Sequence, residues 1–121
     1  MVNNKYKSDL VERAFRFGIQ TIKTCENLPN TKSSSIIANQ LIRSSTSVGA
    51  NLVESKASST RLEFKKFNEI SLKSTNESKY WIEMLRELKL IDLEIAERLI
   101  KELTEISCML ASGIKKLKVR I

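Results

Sequence analysis

One spacing runs unbroken from Phe64 to Leu88 and limits what the chain can become. Phe64, Phe67, Ser71, Ser74, Ser78, Trp81, Leu85 and Leu88 follow one another at steps of three or four residues. A strand sends alternate side chains to opposite faces and cannot gather this set, whereas an α-helix lines it up along one seam. The alternation is that of left-handed helical packing. Aromatic and Leu residues hold the ends of the seam and serine its middle, so a second helix can come close there, while the hydroxyls must find partners inside the fold. Just ahead, Thr60-Arg61-Leu62-Glu63 matches a capping box, in which the Thr hydroxyl and the Glu carboxylate each take a backbone N–H left free by the first turn. A helix is predicted to start at this point.

Its counterpart is Ser44–Glu54 (Ser-Ser-Thr-Ser-Val-Gly-Ala-Asn-Leu-Val-Glu), inside a predicted helix from Ser33 to Ser55. Ile37, Leu41, Ser44, Ser45, Val48, Leu52 and Ser55 form one face, with Ile36, Ile42, Gly49 and Val53 beside it. That apolar arc is wider than a bundle helix needs, which predicts a second covered surface in an oligomer. Ser47, Asn51, Glu54 and Glu77 read as a structural polar core. Each carboxylate would accept hydrogen bonds from neighbours such as Asn51, Ser47 or Tyr80 and fix the helix register.

Two more helices complete the pattern. From Tyr6 to Asn27 the residues Leu10, Val11, Ala14, Phe15, Gly18, Ile22 and Cys25 share a face, and Leu28-Pro29 ends the helix because a residue before proline leaves helical geometry. Gly18 costs about 1 kcal/mol relative to Ala in a helix interior, which predicts a close neighbour there. Asp92 reads as the N-cap of the last helix and Glu94 complements its dipole. Ala96, Leu99, Leu103, Ile106, Leu110, Ile114 and Leu117 then form the inner face. Short links between long helices predict an all-α, antiparallel up-down-up-down four-helix bundle, with residues 1–121 as a single domain.

With 41% apolar and 29% charged residues, a soluble helical protein that folds without a cofactor is expected. There is no apolar run of about 18 residues, and Met1-Val2-Asn3-Asn4-Lys5 lacks the core of a secretion signal, so a cytoplasmic protein with no membrane partner is expected. Cys25 and Cys108 are too few and too scattered for a disulfide framework or zinc site, and both are read as reduced core thiols. The chain has no histidine. This removes the usual acid–base residue at neutral pH and every His-ligated metal or haem, so no metal site, no catalytic residue and no enzyme are expected. Glu54 with Glu77 could form a carboxylate pair for acid–base work, but the register role is favoured.

The net charge of +7 is unevenly spread. Residues 1–75 hold 12 Lys/Arg against 6 Asp/Glu, residues 76–110 hold 5 against 8, and residues 111–121 hold 4 against none. Arg43, Lys56, Arg61, Lys65, Lys66 and Lys73 gather around the second loop and the outer side of the third helix, while Lys115, Lys116, Lys118 and Arg120 form a mobile basic tail. These ten are the candidate nucleic-acid-binding residues. Cations placed this way bind phosphates with little sequence preference and strong salt dependence. A solvated face that only keeps the protein soluble is the competing reading. Phe64, Phe67 and Trp81 sit at core spacing, whereas Tyr80 and Tyr6 fall off the seam and are freer to meet a partner.

Ser-x-Gly-Ala-Asn-x-x-Glu over Ser47–Glu54, followed by Arg61, Phe64, Lys66, Ser71, Asn76-Glu77-Ser78-Lys79-Tyr80-Trp81 and Leu85, resembles a known family across nearly the whole chain. These are bacterial four-helix-bundle proteins, called 23S rRNA-intervening sequence proteins because some are encoded inside insertions in large-subunit ribosomal RNA genes. The resemblance implies a homopentamer around a central channel, a basic surface and a suspected role in nucleic-acid binding. More distant pentameric relatives are accessory proteins of reverse transcriptases in diversity-generating retroelements, but the sequence carries no local mark of that group. The expectation is a non-enzymatic homo-oligomer that binds RNA or DNA backbone. The alternative is a protein-interaction scaffold with no nucleic-acid role, its acidic third-to-fourth-helix region recruiting an unknown protein.

Overall fold

The structure, a computed structural model, describes residues 9–120, and side chains from 10 to 117. Four helices follow one another: α1 (Asp9–Glu26), α2 (Lys32–Ala57), α3 (Arg61–Glu87) and α4 (Leu93–Arg120). Among the described residues there is no strand. The helix predicted from Tyr6 thus has its first residues outside the described part, and the basic tail is no separate segment, since α4 continues to Arg120.

Local chemistry sets the boundaries. Thr31, in extended geometry, accepts the Ser34 N–H and starts α2, one residue sooner than the predicted start at Ser33. Thr60 accepts the Glu63 N–H at 3.0 Å as the capping box requires. The Glu63 carboxylate, however, reaches one residue further back than expected, to the Ser59 N–H at 3.1 Å. The Asp92 carbonyl accepts the Ala96 N–H at 3.0 Å, which puts Asp92 at the head of α4.

Contacts between helices fix their directions. Ser44 meets Ser78, Ser47 meets Ser74, and the Val48 carbonyl meets Ser71. As the α2 number rises the α3 number falls, which makes the pair antiparallel. The space beside Gly18 is bounded by Ser45 and Thr46, and that beside Gly49 by Ala14 and Phe15, so α1 and α2 are antiparallel as well. The short connection 88–92 turns the chain back for α4. Each helix packs on the next, and α4 closes the ring on α1 along the thinnest of the four seams. Arg13 staples that seam, donating through Nε and Nη2 to Glu102 at 2.9 and 2.7 Å and through Nη2 to Glu105 at 2.6 Å.

The core is made of Val11, Ala14 and Phe17 from α1, Leu41, Val48 and Leu52 from α2, Ile82 and Leu85 from α3, and the whole predicted face of α4 as far as Ile114. In α3 the inner stripe differs from the predicted seam. Ser71, Thr75, Ser78, Ile82 and Leu85 are buried, whereas Ser74, Trp81, Phe64 and Phe67 are half-buried and Leu88 is exposed. The two stripes share Ser71, Ser78 and Leu85 and differ by one residue between them, a step of about 100° around a helix of 3.6 residues per turn. Because α3 packs on both α2 and α4, its buried stripe lies between them, and Ser74 ends at the α2 edge.

Candidate nucleic-acid interface

Small hydroxyls set how α3 lies on α2. Ser44 and Ser78 share a hydrogen bond of 2.9 Å, and the Ser71 hydroxyl donates to the Val48 carbonyl at 2.8 Å. Ser74 donates to the Ser47 hydroxyl at 2.8 Å, while Asn51 Nδ2 donates to the Ser47 hydroxyl and carbonyl, both at 2.9 Å. The predicted polar core is therefore half right. Ser47 and Asn51 belong to it, but Glu54 is exposed: it lies three residues beyond Asn51, on the outer side of α2, where water satisfies a carboxylate at less cost than protein can. Glu77 is also no core residue. It accepts from Trp81 Nε1 at 2.9 Å and faces Arg43 Nη2 at 3.7 Å, with its side chain 41% exposed.

The up-down path brings the α2–α3 turn, the start of α1 and the end of α4 to one end of the bundle. Lys56, Arg61, Lys65 and Lys66 share that end with Lys115 and Lys116, although some fifty residues separate the two sets in sequence. Two of these cations are engaged. Lys65 is mostly buried and pairs with Glu69 at 3.5 Å, and Lys56 Nζ stands 5.8 Å from the centroid of the Phe64 ring. Arg61, Lys66, Lys115 and Lys116 are exposed and pair with no described acid. Lys118 and Arg120 lie in the last turn of α4, with side chains outside the described residues. Arg43 and Lys73 are exposed at mid-length on α2 and α3, apart from the end cluster.

Beside Arg43 lies an aromatic pair. The Trp81 ring, held by Glu77, meets Tyr80 edge to face, with centroids 4.9 Å apart and planes at 78°. Tyr80 is 57% exposed. The off-seam position of Tyr80 signalled this exposure, whereas nothing in the spacing shows that Arg43, Glu77, Trp81 and Tyr80 form one chain of contacts across α2 and α3.

On the other side of α2, Val11, Phe15, Ile19 and Ile22 of α1 and Thr46, Gly49, Ala50 and Val53 of α2 line an apolar groove of about 330 Å³. Phe15, Ile19 and Val53 remain 40–45% exposed there. A methyl group added at Gly18 or Gly49 would make only ordinary contacts, at 3.8 and 3.6 Å, so packing within the chain does not demand glycine at either site. Glycine instead keeps the groove floor open. Cys25 is buried, and loss of solvation pushes its thiol up to about 11. Cys108 is exposed, contrary to the core position expected, because Ile106 and Leu110 are buried and the residue midway between them faces out. Among the described residues no group of His, Cys, Asp or Glu could hold a metal, and no helix is long and apolar enough to cross a membrane.

A family model described as 23S rRNA-intervening sequence protein matches residues 6–112. A crystal structure at 1.70 Å resolution of a protein of unknown function from the S23 ribosomal protein family of Bacteroides thetaiotaomicron VPI-5482 superimposes with a TM-score of 0.83. It shares 31% identity with this chain, and the match covers 88% of this chain and 98% of that one. No curated protein matches.

Proposed function

The chain belongs to the 23S rRNA-intervening sequence protein family, and from that premise we propose that it is a non-enzymatic homo-oligomeric bundle, pentameric as the family resemblance implies, that binds the phosphate backbone of RNA or DNA. One observation carries the binding reading: the fold collects Lys56, Arg61, Lys66, Lys115 and Lys116 at a single end, and none of the five has an acidic partner among the described residues, Lys56 being engaged only with the Phe64 ring. Phosphate binding through such cations releases counterions from the nucleic acid, so affinity falls as salt rises. Several copies on one assembly multiply the effect through effective concentration.

The apolar α1–α2 groove supports the assembly. Its exposed Phe15, Ile19 and Val53 and its open glycine floor offer a partner surface that water would otherwise cover at a cost. Binding of a mixed-sequence oligonucleotide at two salt concentrations tests the reading. The expected result is measurable affinity at low salt that drops at least ten-fold when salt is raised four-fold. Absence of binding at low salt, or affinity indifferent to salt, contradicts it and leaves the scaffold reading.

A further inference from the structure

Tyr80 asks for an explanation that the phosphate contacts do not give. It is a large aromatic side chain on the outer face of α3, 57% exposed, and its ring is held in place. Trp81 meets it edge to face at 4.9 Å. Trp81 is in turn fixed by its hydrogen bond to Glu77 at 2.9 Å, and Glu77 stands 3.7 Å from Arg43, whose Nη2 also donates to Gln40 at 2.7 Å. An edge-to-face contact leaves at least one face of the exposed ring open, and a ring already positioned loses little freedom when something stacks on it.

Cations flank it. On the outer face of α3, Lys66, Lys73 and Tyr80 succeed one another at seven-residue steps, two turns and about 10.5 Å apart. All three are exposed. Arg43 approaches from α2 on the other side, its side chain 70% exposed. An aromatic plane beside a line of cations is the arrangement by which proteins hold unpaired nucleotides, the ring taking a base and the cations the phosphates. Duplexes hide their base faces within the helical stack, so the ring can add affinity only for single strands, whereas the cations serve both.

We infer that Tyr80 is a stacking platform for an unpaired nucleobase, with Arg43 and Lys73 seating the neighbouring phosphates, and that it gives the protein a preference for single-stranded over duplex nucleic acid. The inference rests on the phosphate-binding reading above and adds a specificity determinant to it. Fluorescence anisotropy of the full chain with a labelled single-stranded RNA, the same sequence as single-stranded DNA, and the corresponding RNA duplex tests it. Tyr80→Ala is expected to weaken binding of the two single strands about ten-fold and leave the duplex unchanged. Tyr80→Phe keeps the ring and is expected to behave like the wild type. Lys66→Gln with Lys73→Gln should weaken all three probes.

An equal loss on all three probes with Tyr80→Ala, or no loss on any, overturns the platform. If the paired lysine variant still weakens binding in that case, the phosphate reading stands without it. Failure of the wild type to bind any probe at low salt overturns both. A change of solution mass in Tyr80→Ala overturns the platform too, since it places the ring between copies.

Discussion

Cys25 shows how a single buried group reports on the fold. Its thiol is 8% exposed among apolar neighbours, where the thiolate would lose hydration and gain no cation, so its pKa rises from 9.0 to about 11. The folded state therefore favours the neutral thiol. That contribution is fully present below pH 9 and is lost as pH rises through 11, because the unfolded chain ionises first. The thermal midpoint of the wild type is expected to fall more steeply between pH 9 and 11 than that of Cys25→Ala, and parallel curves would contradict the assignment. Cys25 is legible as a core residue from its place in the periodic pattern of α1, whereas the position of Cys108, midway between Ile106 and Leu110 of the inner face, outweighs the burial that its thiol favours. The burial of Thr75 is hidden in the same way. A threonine does not announce itself as core, yet its hydroxyl is satisfied by the Ser71 carbonyl at 2.8 Å, and its methyl can then face the interior.

Helices carried their own punctuation where a residue type enforces it. Pro29 ended α1 and the Thr60–Glu63 box began α3, both as read from the sequence. The end of α3 has no such sign. Lys89 sits at φ 59°, in the left-handed region where glycine is the usual occupant. The Leu90 N–H reaches the Leu85 carbonyl and the Lys89 N–H the Arg86 carbonyl, both at 3.0 Å. That is the paired bonding of a Schellman turn, with lysine where glycine is common. A side chain in this conformation costs about 1 kcal/mol or more. Lys89→Gly is accordingly expected to raise the unfolding free energy by about 1 kcal/mol in denaturant titration, and an equal or lower value would show that the turn is not strained. The α3 stripe was legible in its period and not in its phase, since steps of three-four and four-three share every seventh residue. Only the presence of two packed neighbours decides between them.

At the scale of the molecule, the two ends of the bundle carry different charge. The end formed by the α2–α3 turn and the close of α4 presents exposed Lys56, Arg61, Lys66, Lys115 and Lys116 against exposed Glu54 and Glu63, while the opposite end carries exposed Glu83, Glu87, Asp92, Glu94 and Glu97. Sequence order alone gives two separate basic stretches. Their union depends on the single reversal between α3 and α4, which the four-helix reading already contained. The Arg13 staple to Glu102 and Glu105 was not legible, because nothing in the spacing of α1 shows which α4 residues stand at its level. The wide apolar arc of α2 was legible as an excess. The structure resolves that excess into a groove shared with α1, floored by glycines that packing within the chain does not require.

Copies of the chain are expected to cover that groove. Native mass spectrometry or sedimentation equilibrium at micromolar concentration tests it most directly. A species of about five times the 13.8 kDa chain mass is the expected result, and a lone 13.8 kDa subunit with its α1–α2 flank in water would contradict it.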